Sequence, residues 1–492
     1  MTGHFHMRLR PSIALVVTAG AFLTSAFAVG AQPWRQPVDP ARAGWNMDRL
    51  AAARRLADSL GSTAVVVVHR GVVVAAWGEI ATPLAVASVR KSLMATLVGA
   101  EWRHGGLRLR DRLSELGISD LQPLDSLEGR ATVRDVLAAR SGVYRPAAQE
   151  PAAWAKQRPA PGAHAPGVQW FYNNWSFNVV GSIYEGWRRR SVYAGFLEAV
   201  ARPIGMEDYS IESAALRFRE PSRSIHAAHS FRMSARDLAR VGELYVRSGR
   251  WGRVQVLAPG WVDSVRALST RATDTAEGWS SPVEGYGYGW LWWINPGRGR
   301  DWGVQPHLAT LEHMAAIGAG AQLLIVAPET ELVIAHLAHR GVGPDVEERV
   351  AFEVAEAIVA AMPKGRGVRP GGTTVVSATP FTHRTPVPPR PLVVATSASD
   401  VEGLLGDYDA GQGVVMRVFV HDGGLFVAHP RLGDLELMRA RDVAGLYYDV
   451  GGRLTATFSS DGAGTTLLTV QTPSGRIVAR KLARPGPVDA HR

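Results

Sequence analysis

The stretch AVASVRKSLMATLVGA, residues 85–100, holds one of only four lysines in a 492-residue chain that carries fifty arginines. Lys91 follows Ser88 by three residues, a spacing that stacks two side chains on one helical face, one turn apart. Leu93, Met94, Leu97 and Val98 form an apolar stripe beside the pair, so the segment is predicted to be helical from Ser88 onward. A serine in the first turn feels the positive end of the helix. A free serine is a poor nucleophile and needs a base within hydrogen-bond reach. Lysine serves as that base only when burial or a second cation lowers its pKa. Arginine does not deprotonate in proteins, which is a chemical reason for an arginine-rich chain to keep this lysine. A plain amphipathic helix would carry the same pair, so the rest of the chain has to decide.

The next landmark is PGVQWFYNNWSFNVVGSIYEGW, residues 166–187. Tyr172 and Asn174 form Tyr-x-Asn after a Pro-Gly turn and before a helix expected over Phe177–Trp187. A tyrosine here suits proton transfer between a serine and a leaving group. The amide of Asn174 suits a substrate carbonyl and a lysine ammonium together.

With these residues in order, the chain resembles the serine β-lactamase and penicillin-binding-protein superfamily, in particular its class C and esterase-like branch. That superfamily opens its signature with Ser-x-x-Lys on a helix. The resemblance runs from about Trp45 to Met362. Further segments that look typical of the family are TVRDVLAARSGVYRP, MSARDLARVGELYVRSGRWGRVQVLAPGWV, YGYGWLWWI and AAIGAGAQLLIVAPETELVI. The resemblance implies Ser88 as acylated nucleophile, Lys91 and Tyr172 as proton-relay pair, and Asn174 as a substrate and lysine contact. It places a third motif at AAIGAGAQ, with Gly318 at the glycine position. The backbone N–H groups of Ser88 and Ala319 would then form an oxyanion hole, worth several kcal/mol of barrier lowering. A side chain at Gly318 would obstruct substrate at the strand edge. Penicillin-recognising members usually carry Lys or His two residues before that glycine, and this chain has Ala316 there, followed by Ile317. The missing cation points away from β-lactams. Gln322 points toward relatives like 6-aminohexanoate-dimer hydrolase, which cleave esters or linear amides.

The fold expected is α+β, a β-lactamase/transpeptidase-like antiparallel sheet flanked by helices with a helical subdomain, followed by a small all-β domain. TAVVVVHRGVVVAAWG (63–78) reads as a hairpin around His69-Arg70-Gly71, and AQLLIVAPETELVIAHLAH as another turning near Pro328-Glu329. Thr132 with Asp135 and Ser234 with Asp237 are helix-start signals. From Pro363 the chain holds seven of its thirty prolines in under forty residues, which reads as a semi-extended linker. Beyond it, HDGG (421–424) marks a hairpin between Met416–Val420 and Leu425–Ala428. The expected division is a signal peptide over 1–31, a serine hydrolase domain over 32–362, the linker over 363–398 and a small antiparallel β domain over 399–485.

Arg8 and Arg10 precede an apolar run from Ser12 to about Ala28, and Ala-x-Ala-like residues follow, which reads as a secretory signal cleaved after Ala31. The run is shorter than the ~20 residues of a spanning helix, so no stable membrane insertion is expected. A periplasmic or secreted protein follows. No cysteine is present, excluding disulfides and lipid attachment through one. The net charge of +10 is spread among interleaved Arg, Asp and Glu, which reads as a solvated surface and not a nucleic-acid site. No ligand spacing suggests a metal, no cofactor is expected, and no Gly-x-Ser-x-Gly elbow points to an α/β-hydrolase. Tyr144 and Trp292 are candidate substrate contacts, with Trp170, Trp175, Trp290 and Trp293 as further candidates for a pocket wall. The expected activity is hydrolysis of a small ester or linear amide through an acyl-Ser88 intermediate. The alternatives are a D-aminopeptidase, a weak β-lactamase, or a non-catalytic protein that binds envelope peptides or glycans.

Overall fold

The computed structural model describes residues 34–483 except 38, 268–285, 298–305, 340–346, 364–372, 384–386, 388–390, 395, 397, 430–431, 453 and 473–474. The expected signal peptide lies outside the described residues. Among those described, no helix is long and apolar enough to cross a membrane.

The longer elements of the first part are α1 (Met47–Ser59), β1 (Ala64–His69), β2 (Val72–Gly78), α2 (Val89–Glu101) and α3 (Asn174–Arg188). They continue with β3 (Ala215–Glu220), β4 (Ser224–Met233), α4 (Ala235–Val246), β5 (Gly287–Tyr288) and β6 (Trp293–Pro296). Then follow β7 (Glu312–Gly318), β8 (Gln322–Ala327), β9 (Leu332–Leu337) and α5 (Glu348–Val359). A seven-stranded antiparallel sheet has the order β2-β1-β9-β8-β7-β6-β5, so strands from both ends of the segment meet at its centre. Every residue of β1, β8 and β9 is buried, which requires cover on both faces. Helix α4 packs on β9, β8 and β1, while α1 and α5 pack on each other and α5 on β8 and β9. This is the β-lactamase/transpeptidase-like arrangement.

Local chemistry explains the turns. Arg70 and Gly71 both have positive φ, the geometry of a two-residue turn that matches strand twist. Thr132 accepts from the Asp135 N–H while the Asp135 carboxylate accepts from the Thr132 N–H, a full capping box. Ser234 caps α4 by accepting from the Asp237 N–H, but the Asp237 carboxylate turns elsewhere, to the N–H groups of Glu207 and Asp208.

Where it is described, the proline-rich segment is tied down. Thr379 exchanges hydrogen bonds with edge strand β2, donating to Ala76 O and accepting from the Gly78 N–H, both at 2.9 Å. Asp58 accepts from the N–H groups of Thr382 and His383. An edge strand has unpaired backbone groups, and this segment pairs two of them, Ala76 O and Gly78 N–H.

The C-terminal strands are β10 (Gly406–Asp409), β11 (Val415–His421), β12 (Gly424–His429) and β13 (Gly433–Ala440). They continue as β14 (Leu446–Asp449), β15 (Thr455–Ser460), β16 (Thr466–Thr472) and β17 (Gly475–Lys481). Each pairs with the next in sequence, and β10 pairs with β17, so the meander closes into an eight-stranded barrel. Closure removes the free edges that an open sheet would leave. Tyr408, Met416, Val418, Leu425, Val427, Leu437, Leu468 and Val470 pack together as its core, as expected for a barrel just wide enough to fill with side chains. Asp422 and Gly423 make the expected hairpin turn, both with positive φ.

Candidate active site

Ser88 stands at the N-cap of α2, but it does not cap: its φ/ψ is −73°/−8° and its side chain bonds no N–H of the first turn. Capping serines normally use an extended backbone to reach those groups. The preceding Ala87 has φ +46°, a left-handed conformation costing on the order of 1–3 kcal/mol in a non-glycine residue. The sharp turn leaves the Ser88 hydroxyl free for other partners. Lys91 Nζ donates to Ser88 Oγ at 2.8 Å, and Tyr172 hydrogen-bonds the same side chain.

Lys91 is 3% exposed, and its ammonium faces the rings of Tyr172 and Phe177, 4.6 and 5.0 Å from their centroids. Burial, and then the neighbouring Arg90 charge, hold its pKa well below the ordinary lysine range. Arg90 is itself buried, and its guanidinium donates to Asn178 Oδ1 at 2.7 Å. Burial pushes the Tyr172 hydroxyl up to about 12, against the lowering effect of its bond to Ser88. The electrostatics therefore shift the amine toward its neutral form and hold the phenol protonated beside the serine hydroxyl. A neutral amine accepts a proton, and the 2.8 Å contact is the path for it.

The third motif arrives from the sheet. Gly318 ends β7, and a Cβ built on it would lie 2.4 Å from Val86 O and 3.1 Å from Ser88 N. The glycine is therefore required by the backbone of the turn that carries Ser88, a tighter reason than room for substrate. Ala319 follows directly, half-buried in the turn between β7 and β8. Ala316 is fully buried and brings no cation.

Asn174 is the first residue of α3, with Asn173 as its cap. Its Nδ2 donates to Gln149 O, and its buried Oδ1 has no hydrogen-bond partner. It does not bond Lys91. Asn173 donates to Val143 O and Asn178 to Ala148 O, so the cap of α3 and two asparagines within it staple the 143–149 loop beside the site. The sequence reading missed Asn173, Asn178 and Arg90. The density of Asn in YNNWSFN was the available signal.

Tyr144 lies in that loop, buried, with its hydroxyl 3.1 Å from His164 Nδ1. Among the tryptophans, Trp293 stacks on Tyr172 at 5.4 Å and 26°, and Trp170 and Trp154 also meet that ring. Trp292 is not brought to the site. It is fully buried behind α2, with its N–H donating to Tyr245 OH at 3.3 Å. Trp175 also points elsewhere, donating to Asp120. His313 bonds Tyr286 OH and Leu311 O, and burial lowers its pKa to about 4, so it is a neutral core residue. Among the described residues, no cluster of three acidic or imidazole side chains could hold a metal.

The profile of the Beta-lactamase family matches residues 47–358. A 6-aminohexanoate-dimer hydrolase of Paenarthrobacter ureafaciens is 34% identical over 104 residues, 21% of this chain and 24% of that protein. The match thus spans about a quarter of the curated relative's length. Among solved structures, SurE is 20% identical, with 90% of this chain and 99% of that chain covered at a TM-score of 0.46. The octameric penicillin-binding protein homologue from Pyrococcus abyssi is 15% identical, with 88% and 99% covered at a TM-score of 0.46.

Proposed function

Because this chain is a hydrolase of the beta-lactamase family, we propose that it is an exported serine hydrolase that cleaves a small ester or linear amide through an acyl-Ser88 intermediate. The observation that carries this reading is the 2.8 Å contact between Ser88 Oγ and the buried Lys91 Nζ. Lys91 accepts the hydroxyl proton as the Ser88 oxygen bonds the carbonyl carbon. The charge that develops on the carbonyl oxygen falls to the N–H groups of Ser88 and Ala319. As the carbonyl reforms, the bond to the leaving alkoxide or amine breaks, and the proton returns to it from Lys91 by way of Tyr172 OH. Water then attacks the acyl carbon, gives its proton to the same relay, and Ser88 leaves protonated with release of the acid.

Lys91 is the base in this scheme. Its proton affinity is lowered by burial and Arg90, whereas the Tyr172 hydroxyl is held protonated by burial. Asn174 Oδ1, buried and without a partner, suits a donor N–H of an amide substrate. With Ala316 in place of a cation, a substrate carboxylate finds no charge there, which favours neutral esters and linear amides over penicillins. The partial likeness to 6-aminohexanoate-dimer hydrolase agrees with a linear amide bond as the one cleaved.

The test is labelling with a fluorophosphonate probe followed by peptide mass spectrometry, together with rates on p-nitrophenyl esters and nitrocefin. Labelled Ser88, hydrolysis lost in Ser88→Ala, and esters preferred over nitrocefin are expected. Retention of full hydrolysis by Ser88→Ala would sink the mechanism, and preference for nitrocefin would move the protein to the β-lactamase alternative.

A further inference from the structure

The carbonyl of Gln149, which holds Asn174, belongs to a residue with φ +58°, a left-handed conformation that L-residues keep only when neighbours enforce it. Its N–H donates at 2.7 Å to Oε1 of Glu220, at the end of β3. The Glu220 carboxylate is 4% exposed, and its Oε2 lies 3.2 Å from Arg223 Nε. Above this carboxylate sits the C-terminal barrel. A Cβ on Gly433, the first residue of β13, would come within 2.7 Å of Glu220 Oε2, so the barrel backbone lies directly against this carboxylate.

The barrel is anchored around that contact. Asp434 Oδ2 accepts from the Ser222 N–H at 2.7 Å. Arg219 donates through Nε and Nη2 to the two oxygens of Glu436, at 2.9 and 2.5 Å, and lies over the Phe426 ring. Bidentate Arg–carboxylate pairs with this degree of burial fix orientation as well as contact. Arg223 also donates to Glu150 O, the residue after Gln149. Hydrogen bonds from the barrel to Arg219 and Ser222, the backbone of 219–223, and the bonds from Glu220 to Gln149 and from Gln149 to Asn174 therefore form one path.

We propose that the C-terminal barrel is a working part of the hydrolase site: by clamping the 219–223 turn it seats Glu220 under Gln149, and Glu220 is a positioning residue for Asn174. The inference rests on the role proposed above for Asn174. It assigns the barrel a task that a mere appendage would not have. Glu220 faces Arg223 from its own turn, Glu150 from the loop and Asp434 from the barrel. Burial, aided by the two acidic neighbours, raises its pKa to about 7 against the lowering effect of Gln149 N–H and Arg223, so the seat also senses pH near neutrality.

The test uses the full chain and two readouts, hydrogen exchange over residues 147–150 and kcat/KM on p-nitrophenyl butyrate per fluorophosphonate-titratable site. Glu220→Ala and Glu436→Arg should each speed exchange of this loop and lower kcat/KM at least tenfold. Glu220→Gln should restore both, because its amide oxygen still accepts from Gln149, and should flatten their change across pH 7. The charge swap Arg219→Glu with Glu436→Arg should restore the docking that Glu436→Arg breaks. A purely structural role would reduce the number of titratable sites and leave the rate per site unchanged. Unchanged exchange in Glu220→Ala or Glu436→Arg would overturn the proposal even if Ser88 proves not to be the nucleophile. Faster exchange with an unchanged rate per site would also overturn it.

Discussion

Gly318 and Ser88 meet through their backbones: a Cβ on the glycine would stand 3.1 Å from the serine nitrogen and 2.4 Å from the carbonyl two residues before it. The sheet and helix α2 thus meet at the turn that carries the Ser88 N–H. Gly318→Val should displace the turn that carries Ser88. A fluorophosphonate labelling rate lowered by about 10²–10³, the range for loss of one oxyanion donor, is expected. Melting measured beside labelling separates this from unfolding, and a labelling rate within threefold of the wild type would refute the placement.

The acid limb of the pH–rate profile should belong to Lys91. Its pKa lies well below the ordinary 10.5, so kcat/KM should rise with pH through that lowered value as the ammonium loses its proton. Arg90→Gln removes the second cause of the depression and should move the limb to higher pH. Stability has the same sign. Between the folded value and 10.5 the unfolded chain binds the extra proton, so folding gains as pH rises. Lys91→Met should remove that slope while abolishing turnover, and denaturant titrations at several pH values would measure it.

Much of this was legible because it is local. Arg70-Gly71 and Asp422-Gly423 announce their turns by residue type, Thr132 and Asp135 close a capping box within four residues, and Ser88 and Lys91 need only one helical turn to meet. The seating of Asn174 was not legible, because Gln149, Glu220 and Gly433 lie far apart in sequence and share no periodicity. Closure of the barrel was hidden for the same reason, since β10 must find β17 at the far end of the meander. Trp292 and Trp293 both read as candidates for the pocket wall by residue type. Which one faces the site depends on the register of β6 against β7, which only the pairing reveals.

The turn that holds Ala319 rests on a buried imidazole. His336 has a pKa lowered to about 4 by burial, so it is neutral and carries one ring proton. Nδ1 lies 2.7 Å from Ala321 O, which can only accept, so the proton sits there and Nε2 accepts from Ser62 Oγ at 2.7 Å. Gln322 braces the same turn, donating to Gly320 O and Ala338 O. His336→Leu leaves the Ala321 carbonyl unsatisfied and should cost about 1–3 kcal/mol of stability. Because the turn carries the Ala319 N–H, kcat should also fall, about tenfold, with KM little changed. Ser62→Ala, which spares the Nδ1 bond, should show a smaller loss of both. Equal effects from the two variants would show that the imidazole does not order the turn.

The two adjacent tryptophans should separate stability from rate. Trp292 is fully enclosed against Tyr245, whose hydroxyl also meets Thr96 of α2 at 3.1 Å. Trp292→Phe keeps most of the apolar contact but opens a gap and removes one partner of the Tyr245 hydroxyl, so a loss of about 1–3 kcal/mol is expected. The rate per titrated site should stay within twofold, since Trp292 packs and bonds against Tyr245, on the far side of α2 from the Tyr172 ring cluster. Trp293 instead stacks on Tyr172 at 5.4 Å, so Trp293→Leu removes the wall that keeps the phenol dry and aligned. A fall of kcat/KM per site of about tenfold or more is expected, because a displaced hydroxyl loses its geometry toward Ser88. Active-site titration with melting curves on both variants decides the matter. A rate loss in Trp292→Phe as large as that in Trp293→Leu would mean that the core behind α2, and not the stacked ring, governs the relay.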